Sequence, residues 1–390
     1  MFRWFLLFAA VLAAGCSGGP VARTDRVATA APVPDGPVMA DDAALARAAG
    51  QLLIVGFRGT QLPPDHHLWR DIRDYGLGGV VLYEYDVPGE TRPRNITAPA
   101  QVRTLTAALQ AAAAAAGQPP LIVAVDQEGG RVNRLREAYG FPPSVSARHL
   151  GELDDADTTA YWSGLTARAL QDAGITLNFA PVVDLNVNST SPAIGALARS
   201  FSADPAVVVR HAAVVIREHH RAGVRVALKH FPGHGSATAD SHLGLTDISA
   251  TWTERELAPF RALPAADAIM SAHVYNAALD PDWPATLSPR IIGGLLRRDG
   301  QWDKAVISDD MMMGAITRQY GRAEAVARAL NAGCDLLIFS NNAPAGYEPG
   351  IVPEVVGIIR AHLASGLVSR ERLRDALRHA AALRLPVAAP

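Results

Sequence analysis

Residues 228–242 read LKHFPGHGSATADSH and gather Lys229, His230, His234, Asp240 and His242 into fifteen positions. Side chains of these types grip hydroxyl groups, bind anions or pass protons near neutral pH. Pro232, Gly233 and Gly235 stand among them and rule out an ordinary helix. The preceding run, VRVAL at 224–228, is apolar and β-branched, as in a buried strand. The segment therefore reads as a strand that stops abruptly in a rigid polar loop. Asp240 and His242 stand two residues apart, so an extended backbone turns both to one side. A carboxylate beside an imidazole orients it and favours its protonated form, so the pair can give and take a proton.

A second stretch, ISDDMMMGA at 307–315, ends an apolar run with Asp309 and Asp310. A carboxylate there can act as nucleophile, general base or metal ligand. Its neighbour leaves the strand on the other side and is suited to cap the next helix. One functional and one structural aspartate is the expectation. In DQEGGRVNRL at 126–135, Asp126 can accept two hydroxyl hydrogens, and Arg131 and Arg134 offer fixed donors. Arg199 in ARSFS at 198–202 adds another donor. The mixture suits a polyhydroxyl ligand, although Asp–Arg pairs are also common structural ties.

These groups need elements to position them. Short apolar runs recur at 51–57, 78–85, 121–127, 176–185, 224–231, 268–274, 305–311 and 334–341. Helix-like stretches at 101–117, 160–174, 204–223 and 322–333 lie between them, several ending in glycine. Strands alternating with helices predict a parallel α/β fold. Eight such units favour a single-domain (β/α)8 TIM-type barrel over an open doubly wound sheet. No Gly-x-Gly-x-x-Gly follows the first run. The unusual polar residues follow the runs: Asp126 and Glu128, Asp184 and Asn186, Lys229 and His230, His273, Asp309 and Asp310. In a barrel these strand ends converge on one mouth, where active sites are built.

The 390 residues are about half hydrophobic and carry a net charge of −2, with no basic stripe to indicate a nucleic-acid partner. Only Lys229 and Lys304 are lysines among 36 basic residues. Coding bias explains most of that, yet one of the two sits in the polar loop, where a compact ammonium suits the site better than a flat guanidinium. The N-terminus, MFRWFLLFAAVLAAGC, has one early arginine, an apolar run too short to span a membrane, and small residues before Cys16. It resembles a secretory signal ending in a bacterial lipoprotein box, which implies lipid on Cys16 and export to the cell envelope. Residues 17–40 are rich in Pro, Ala, Gly and Thr and read as a flexible tether, with the catalytic domain at 41–390. Cys334 borders an apolar strand and reads as a packing thiol.

Taken in order, DQEGGR, KHFPGHG, DSH and SDDMMMGA resemble the family 3 glycoside hydrolases, specifically β-N-acetylglucosaminidases of the NagZ type. The likeness runs from about residue 45 to about residue 385 and matches single-domain members, without a further α/β sandwich domain. It implies Asp309 as the nucleophile of a covalent glycosyl-enzyme. It implies His242 as general acid and then base, oriented by Asp240. Asp126, Arg134, Arg199, Lys229 and His230 are implied as sugar-binding groups. Arg131 is left as a structural tie and His234 as a brace. The implied substrate is terminal β-linked N-acetylglucosamine in peptidoglycan fragments or chitin-like oligomers, with no metal or other cofactor and a monomer as the default. Most retaining glycosidases pair two carboxyl groups, whereas here a dyad replaces one. A long loop with Gly233 and Gly235 as hinges is the expected carrier of His242.

Other readings use the same residues. His230, His234, Asp240 and His242 are possible zinc ligands, but their spacing fits no short metal motif. A phosphorylase is compatible because a histidine, unlike a carboxylate, does not repel incoming phosphate. A β-glucosidase or a non-catalytic sugar-binding lipoprotein completes the set.

Overall fold

A computed structural model of the chain describes residues 41–387. The signal, Cys16 and the tether therefore lie outside the described residues. Eight strands close into a parallel barrel: β1 (Leu53–Gly56), β2 (Gly79–Leu82), β3 (Ile122–Val125), β4 (Leu177–Asn178), β5 (Arg225–Phe231), β6 (Ala268–Ser271), β7 (Ala305–Asp310) and β8 (Leu336–Phe339). Closure is made by β1, which pairs with β2 on one side (Ile54 opposite Gly79) and β8 on the other (Leu53 opposite Leu337). Every residue of β1, β2, β3, β6 and β8 is buried, as parallel strands covered on both faces require. Each buried Val, Leu or Ile there contributes roughly 1.5–3 kcal/mol relative to exposure.

Among the outer helices are α1 (Asp42–Gly50), α2 (Leu68–Tyr75), α3 (Pro99–Ala115), α4 (Ala156–Asp172), α5 (Pro205–Arg221), α6 (Arg322–Ala332), α7 (Ile351–Ser365) and α8 (Arg370–Ala382). Their starts are written locally. Asp204 caps α5 by accepting from the Ala206 N–H, and Pro205 occupies the first turn, where no N–H is needed. Asp155 caps α4 in the same way. Gly333, at φ +117°, ends α6 in a left-handed conformation. No helix among the described residues is long and apolar enough to cross a membrane.

The strand read at 176–185 is shorter than its pattern. Its regular ladder ends at Asn178, although the Phe179 N–H still donates to Val125 and, beyond Pro181, Val182 pairs again with Lys229 of β5 as an isolated bridge. The run at 268–274 also divides: β6 ends at Ser271, and Val274–Tyr275 pairs instead with Thr246–Asp247 outside the barrel. Cys334 is fully buried, and burial pushes its thiol up to about 12, as befits a packing residue.

The end of the barrel remote from the mouth is tied by Asp335, just before β8. Its carboxylate is fully buried and accepts from Arg297 Nη2 at 2.6 Å, the Val306 N–H at 2.9 Å, and Arg372 of α8. Atoms of Asp335, Asp375 and His379 converge within 4.8 Å, but the two guanidiniums already neutralise the buried carboxylate. Burial pushes Asp335 up, while His379, Arg297 and Arg372 outweigh it and hold the carboxyl below its ordinary range. Its stabilisation is thus present above about pH 4 and is lost as pH falls through the lowered value. Replacing Asp335 by Ala removes the buried carboxylate that Arg297 and Arg372 share. Urea denaturation at pH 7 is expected to show a loss of about 3 kcal/mol.

Candidate active site

At the mouth, β3 delivers Asp126, Gln127 and Glu128. The loop 126–135 folds around Gln127, whose Oε1 accepts from the N–H groups of Arg134 and Leu135, both at 2.9 Å. Gly129 has φ +93°, and a Cβ there would lie 2.3 Å from the Val145 carbonyl oxygen, so only glycine permits this approach. Lys229 Nζ, at the end of β5, lies 2.7 Å from both Asp126 Oδ1 and Glu128 Oε1. Glu128 in turn takes two parallel bonds from Arg199, Nη2 to Oε1 at 2.7 Å and Nε to Oε2 at 2.8 Å. Burial pushes Glu128 up, but Arg199 and Lys229 overcome that and hold it ionised.

The chain of contacts continues to His230. Arg199 Nη2 donates to His230 Nε2 at 3.2 Å, and His230 Nδ1 donates to Asp184 Oδ2 at 2.6 Å. Asp184 is fully buried, and its other oxygen accepts the His230 N–H at 3.2 Å and the His234 N–H at 2.8 Å. One carboxylate thus sets the ring tautomer and fixes the turn after β5.

The two adjacent aspartates separate in role. Asp310 Oδ1 accepts from the N–H groups of Met312 (3.1 Å) and Ser340 (2.9 Å), which ties the end of β7 to the loop after β8. Burial pushes its carboxyl up to about 6. Among the described residues Asp309 accepts only the Asp310 N–H, at Oδ1 and 2.8 Å, so its second oxygen has no bonded partner there. Burial pushes Asp309 up as well, but His273, His230 and His242 outweigh it and hold it below the ordinary carboxylate range. His273 braces this strand end, its Nε2 donating to the Asp310 carbonyl oxygen at 2.9 Å.

Asp240 and His242 meet as expected, with Nδ1 donating to Oδ1 at 2.7 Å. The backbone is a turn and not the extended segment expected from their spacing: the same Oδ1 accepts the His242 N–H at 3.0 Å, and the Asp240 carbonyl accepts from Leu243 at 3.0 Å. A short Asp side chain bonding the N–H two residues on favours that turn. The bond to Asp240 raises His242 above its ordinary value, partly opposed by burial, and the charge of Asp309 adds to the rise. His242 lines the same cavity of about 400 Å³ as Asp126, Arg134, Arg199, Lys229, His230 and Asp309.

The glycines expected as hinges are packed instead. A Cβ on Gly233 would lie 2.6 Å from Glu256 Cβ, and one on Gly235 would lie 1.7 Å from the Leu185 carbonyl oxygen. Residues 231–237 are buried, and only the tip near 238–245 is largely exposed. Glu256 holds this base by accepting the Gly235 N–H at 3.1 Å. His234 bridges to Ser241 Oγ at 3.1 Å and so braces the loop. Arg131 is exposed and does not line the cavity, whereas Arg134 does. The histidines considered as zinc ligands face separate partners: Asp184, Ser241 and Asp240.

Asp184, Glu256 and Gly314 carry parts of the site to which their residue types alone assigned no role. Gly314 is the seat of the loop tip. Its N–H donates to the His242 carbonyl at 3.1 Å, and the Ala315 N–H donates to the Ser241 carbonyl at 3.2 Å.

A cavity lined by carboxylates, imidazoles and cations at the strand ends of this barrel fits the architecture of a glycoside hydrolase. The chain belongs to glycosyl hydrolase family 3: the family model "Glycosyl hydrolase family 3 N terminal domain" matches residues 44–383. It is 38% identical over 296 residues to a protein of Xylella fastidiosa (strain M23) named Beta-hexosaminidase, covering 74% of this chain and 82% of that one. A Beta-hexosaminidase of Pseudomonas aeruginosa (strain LESB58) is 37% identical over 276 residues, covering 70% of this chain and 77% of its own. Among solved structures, a family 3 β-N-acetylglucosaminidase from Paenibacillus sp. superposes with TM-score 0.78 at 34% identity, over 89% of this chain and 64% of that longer one. A family 3 glycosyl hydrolase from Mycobacterium smegmatis gives TM-score 0.72 at 33% identity, over 88% of this chain and 97% of that one.

The seating of the loop makes a prediction. A Cβ at Gly314 would lie 2.8 Å from the His242 carbonyl oxygen and 2.9 Å from Leu243. Gly314→Val is expected to unseat the tip without touching the barrel. Amide exchange at Ser241–Leu245 and Ala315 should accelerate by about tenfold or more, with barrel-strand protection unchanged.

Proposed function

We propose that the protein is a retaining β-N-acetylhexosaminidase that removes terminal β-linked N-acetylglucosamine. The observation that carries this reading is the pairing across one cavity of Asp309, held ionised with one free oxygen, and His242, held by Asp240 with Nε2 free. The names of the relatives support the choice of sugar. Asp309 attacks the anomeric carbon while His242 gives its Nε2 proton to the departing glycosidic oxygen. The sugar is then an ester of Asp309. His242, now neutral, takes a proton from water, which attacks the same carbon and restores the carboxylate. Asp240 stabilises the imidazolium before the first step and again once the second has re-formed it. Asp126, Arg134, Arg199, Lys229 and His230 hold the sugar hydroxyls. Peptidoglycan fragments and chitin-like oligomers carry the required terminus.

The same proposal covers the chain as a monomer with a lipoprotein signal at 1–16, a tether at 17–40 and a catalytic domain at 41–390. Lipid on Cys16 anchors it to the cell envelope.

Asp309→Ala is expected to lower kcat on 4-nitrophenyl β-N-acetylglucosaminide by about 10⁴-fold or more, with the β-glucoside a poor substrate for the wild type and no dependence on phosphate. Preference for the glucoside would overturn the sugar assignment. His242→Ala should cost about 10²–10⁴-fold on poor leaving groups and markedly less on activated phenols. Because His242 is raised, kcat/KM should stay high up to its titration point, above the ordinary 6.5, and fall as pH rises through it. Asp240→Asn should move that limb to lower pH. In cells, Cys16→Ser should shift the protein from the membrane to the soluble fraction.

A further inference from the structure

The turn at 231–237 is buried and leads directly into the segment that carries Asp240 and His242. Its contacts reach the pair step by step. Gly235 donates its N–H to Glu256 Oε2 at 3.1 Å, and its carbonyl accepts the Asn188 N–H at 3.1 Å. The His234 carbonyl accepts the Ala237 N–H at 3.3 Å, and the His234 ring bridges to Ser241 Oγ at 3.1 Å, one residue before His242. On the other flank Trp252 Nε1 donates to the Pro232 carbonyl at 3.0 Å. Glu256 belongs to the short helical turn Glu254–Leu257 and is fully buried.

Among the described residues no cation pairs with the Glu256 carboxyl, and its Oε1 makes no hydrogen bond. The turn after β5 faces it with the Gly235 and Ser236 N–H groups and the Ser236 hydroxyl. The loop after β4 faces it with Asp184, which is already bonded to His230 Nδ1 and the His234 N–H. On its own turn Glu254 and Arg255 are exposed, and Glu254 pairs with Arg261 at 3.0 Å. Burial pushes Asp184 up, but His230 and His234 outweigh it and hold that carboxylate ionised. Burial pushes Glu256 up from the ordinary 4.5 to about 7; Ser236 opposes the rise and the charge of Asp184 adds to it. Of two neighbouring buried carboxyls, the one without a cationic partner keeps the proton. The folded protein therefore binds this proton more tightly than the unfolded chain does. The stabilisation is fully present below about pH 4.5 and is lost as pH rises through about 7.

We infer that Glu256 is a positioning residue, a proton-dependent tie for the loop that carries Asp240 and His242. When neutral, its carboxyl accepts the Gly235 N–H and seats the turn after β5 on the segment at 252–256. When ionised, it sets a second buried negative charge beside Asp184, and the turn loosens to let water reach it. His242 then loses the brace that runs through His234 and Ser241. Rising pH thus acts on the pair twice, through the proton of His242 itself and through the seat of its loop. The bearing on catalysis rests on the hydrolase reading above; the tie itself does not.

The test compares wild type with Glu256→Gln, whose amide keeps an acceptor for Gly235 and cannot ionise, from about pH 6 to about pH 8.5. Amide exchange is followed at Gly233–Ala237 and corrected for the intrinsic pH dependence of exchange. Wild-type protection there is expected to fall about tenfold across that range relative to β1–β3, and less than about twofold in Glu256→Gln. On phenyl β-N-acetylglucosaminide, whose poor leaving group needs the acid, the alkaline limb of log kcat/KM should be steeper than one proton in the wild type and follow a single proton in Glu256→Gln. Wild-type protection that does not change with pH overturns the tie, whether or not the variant folds. Equal loss in both proteins overturns the assignment to Glu256. Lost protection with a single-proton limb in the wild type overturns the positioning role. No cleavage by the wild type at any pH overturns the hydrolase reading alone, and the exchange series still decides the tie.

Discussion

The active site depends on a line of buried charges that must be complete to be tolerated. Lys229 stands between Asp126 and Glu128, Glu128 is clamped by Arg199, and Arg199 reaches His230, which rests on Asp184. Each buried ion is costly to desolvate, and removing one strands its partner. Stability alone does not call for such a line, because apolar packing fills a barrel mouth at lower cost. What the line provides is fixed geometry. It points lysine and imidazole groups into the cavity from the end of β5 and an arginine from the loop after β4, and its last member, Asp184, also fixes the turn from which the loop to His242 departs.

Around that scaffold the environment divides labour between like residues. Asp309 and Asp310 are neighbours in sequence and differ in fate. Asp310 spends its carboxylate on backbone N–H groups and is pushed up by burial. Asp309 keeps one oxygen free and is held low by surrounding rings. His234 and His242 differ in the same way. His234 is buried, pushed down to about 4 by burial and spent on Ser241. His242 is exposed at the tip and raised by Asp240. Only the second member of this pair is suited to hold a proton until a leaving group needs it.

Much of this was legible in the sequence. The eight apolar runs located the barrel strands, and the polar residues after them located the mouth, because a parallel barrel obliges strand ends to converge. Asp309, the Asp240–His242 pair and Asp126, Arg134, Arg199, Lys229 and His230 were singled out from residue types and order, and all of them but Asp240, which holds His242, line one cavity. What escaped depends on partners distant in the chain. Glu128 was visible after its run, but its clamp, Arg199, lies far downstream. Gly314 looks like an ordinary helix start until His242 is seen resting on its N–H. Gly233 and Gly235 look like hinges until Glu256 and Leu185 are found against them. Arg131 and Arg134 are alike in sequence, and only the irregular fold around Gln127 decides which one faces the cavity. Pro181 interrupts the regular ladder of a strand whose apolar pattern continues, and pairing resumes only as a single bridge at Val182, because hydrogen bonding and burial are separate requirements.

The central claim is that Asp309, and not its neighbour, forms a bond to the sugar. The direct measurement is to incubate the protein with a 5-fluoro β-N-acetylglucosaminyl fluoride, which slows breakdown of a glycosyl-enzyme, and to map the adduct by peptide mass spectrometry. The account predicts one added sugar per chain, carried by Asp309, with turnover of the ordinary glycoside giving the β-anomer first. Label on Asp310, or an α-anomer as first product, would contradict it.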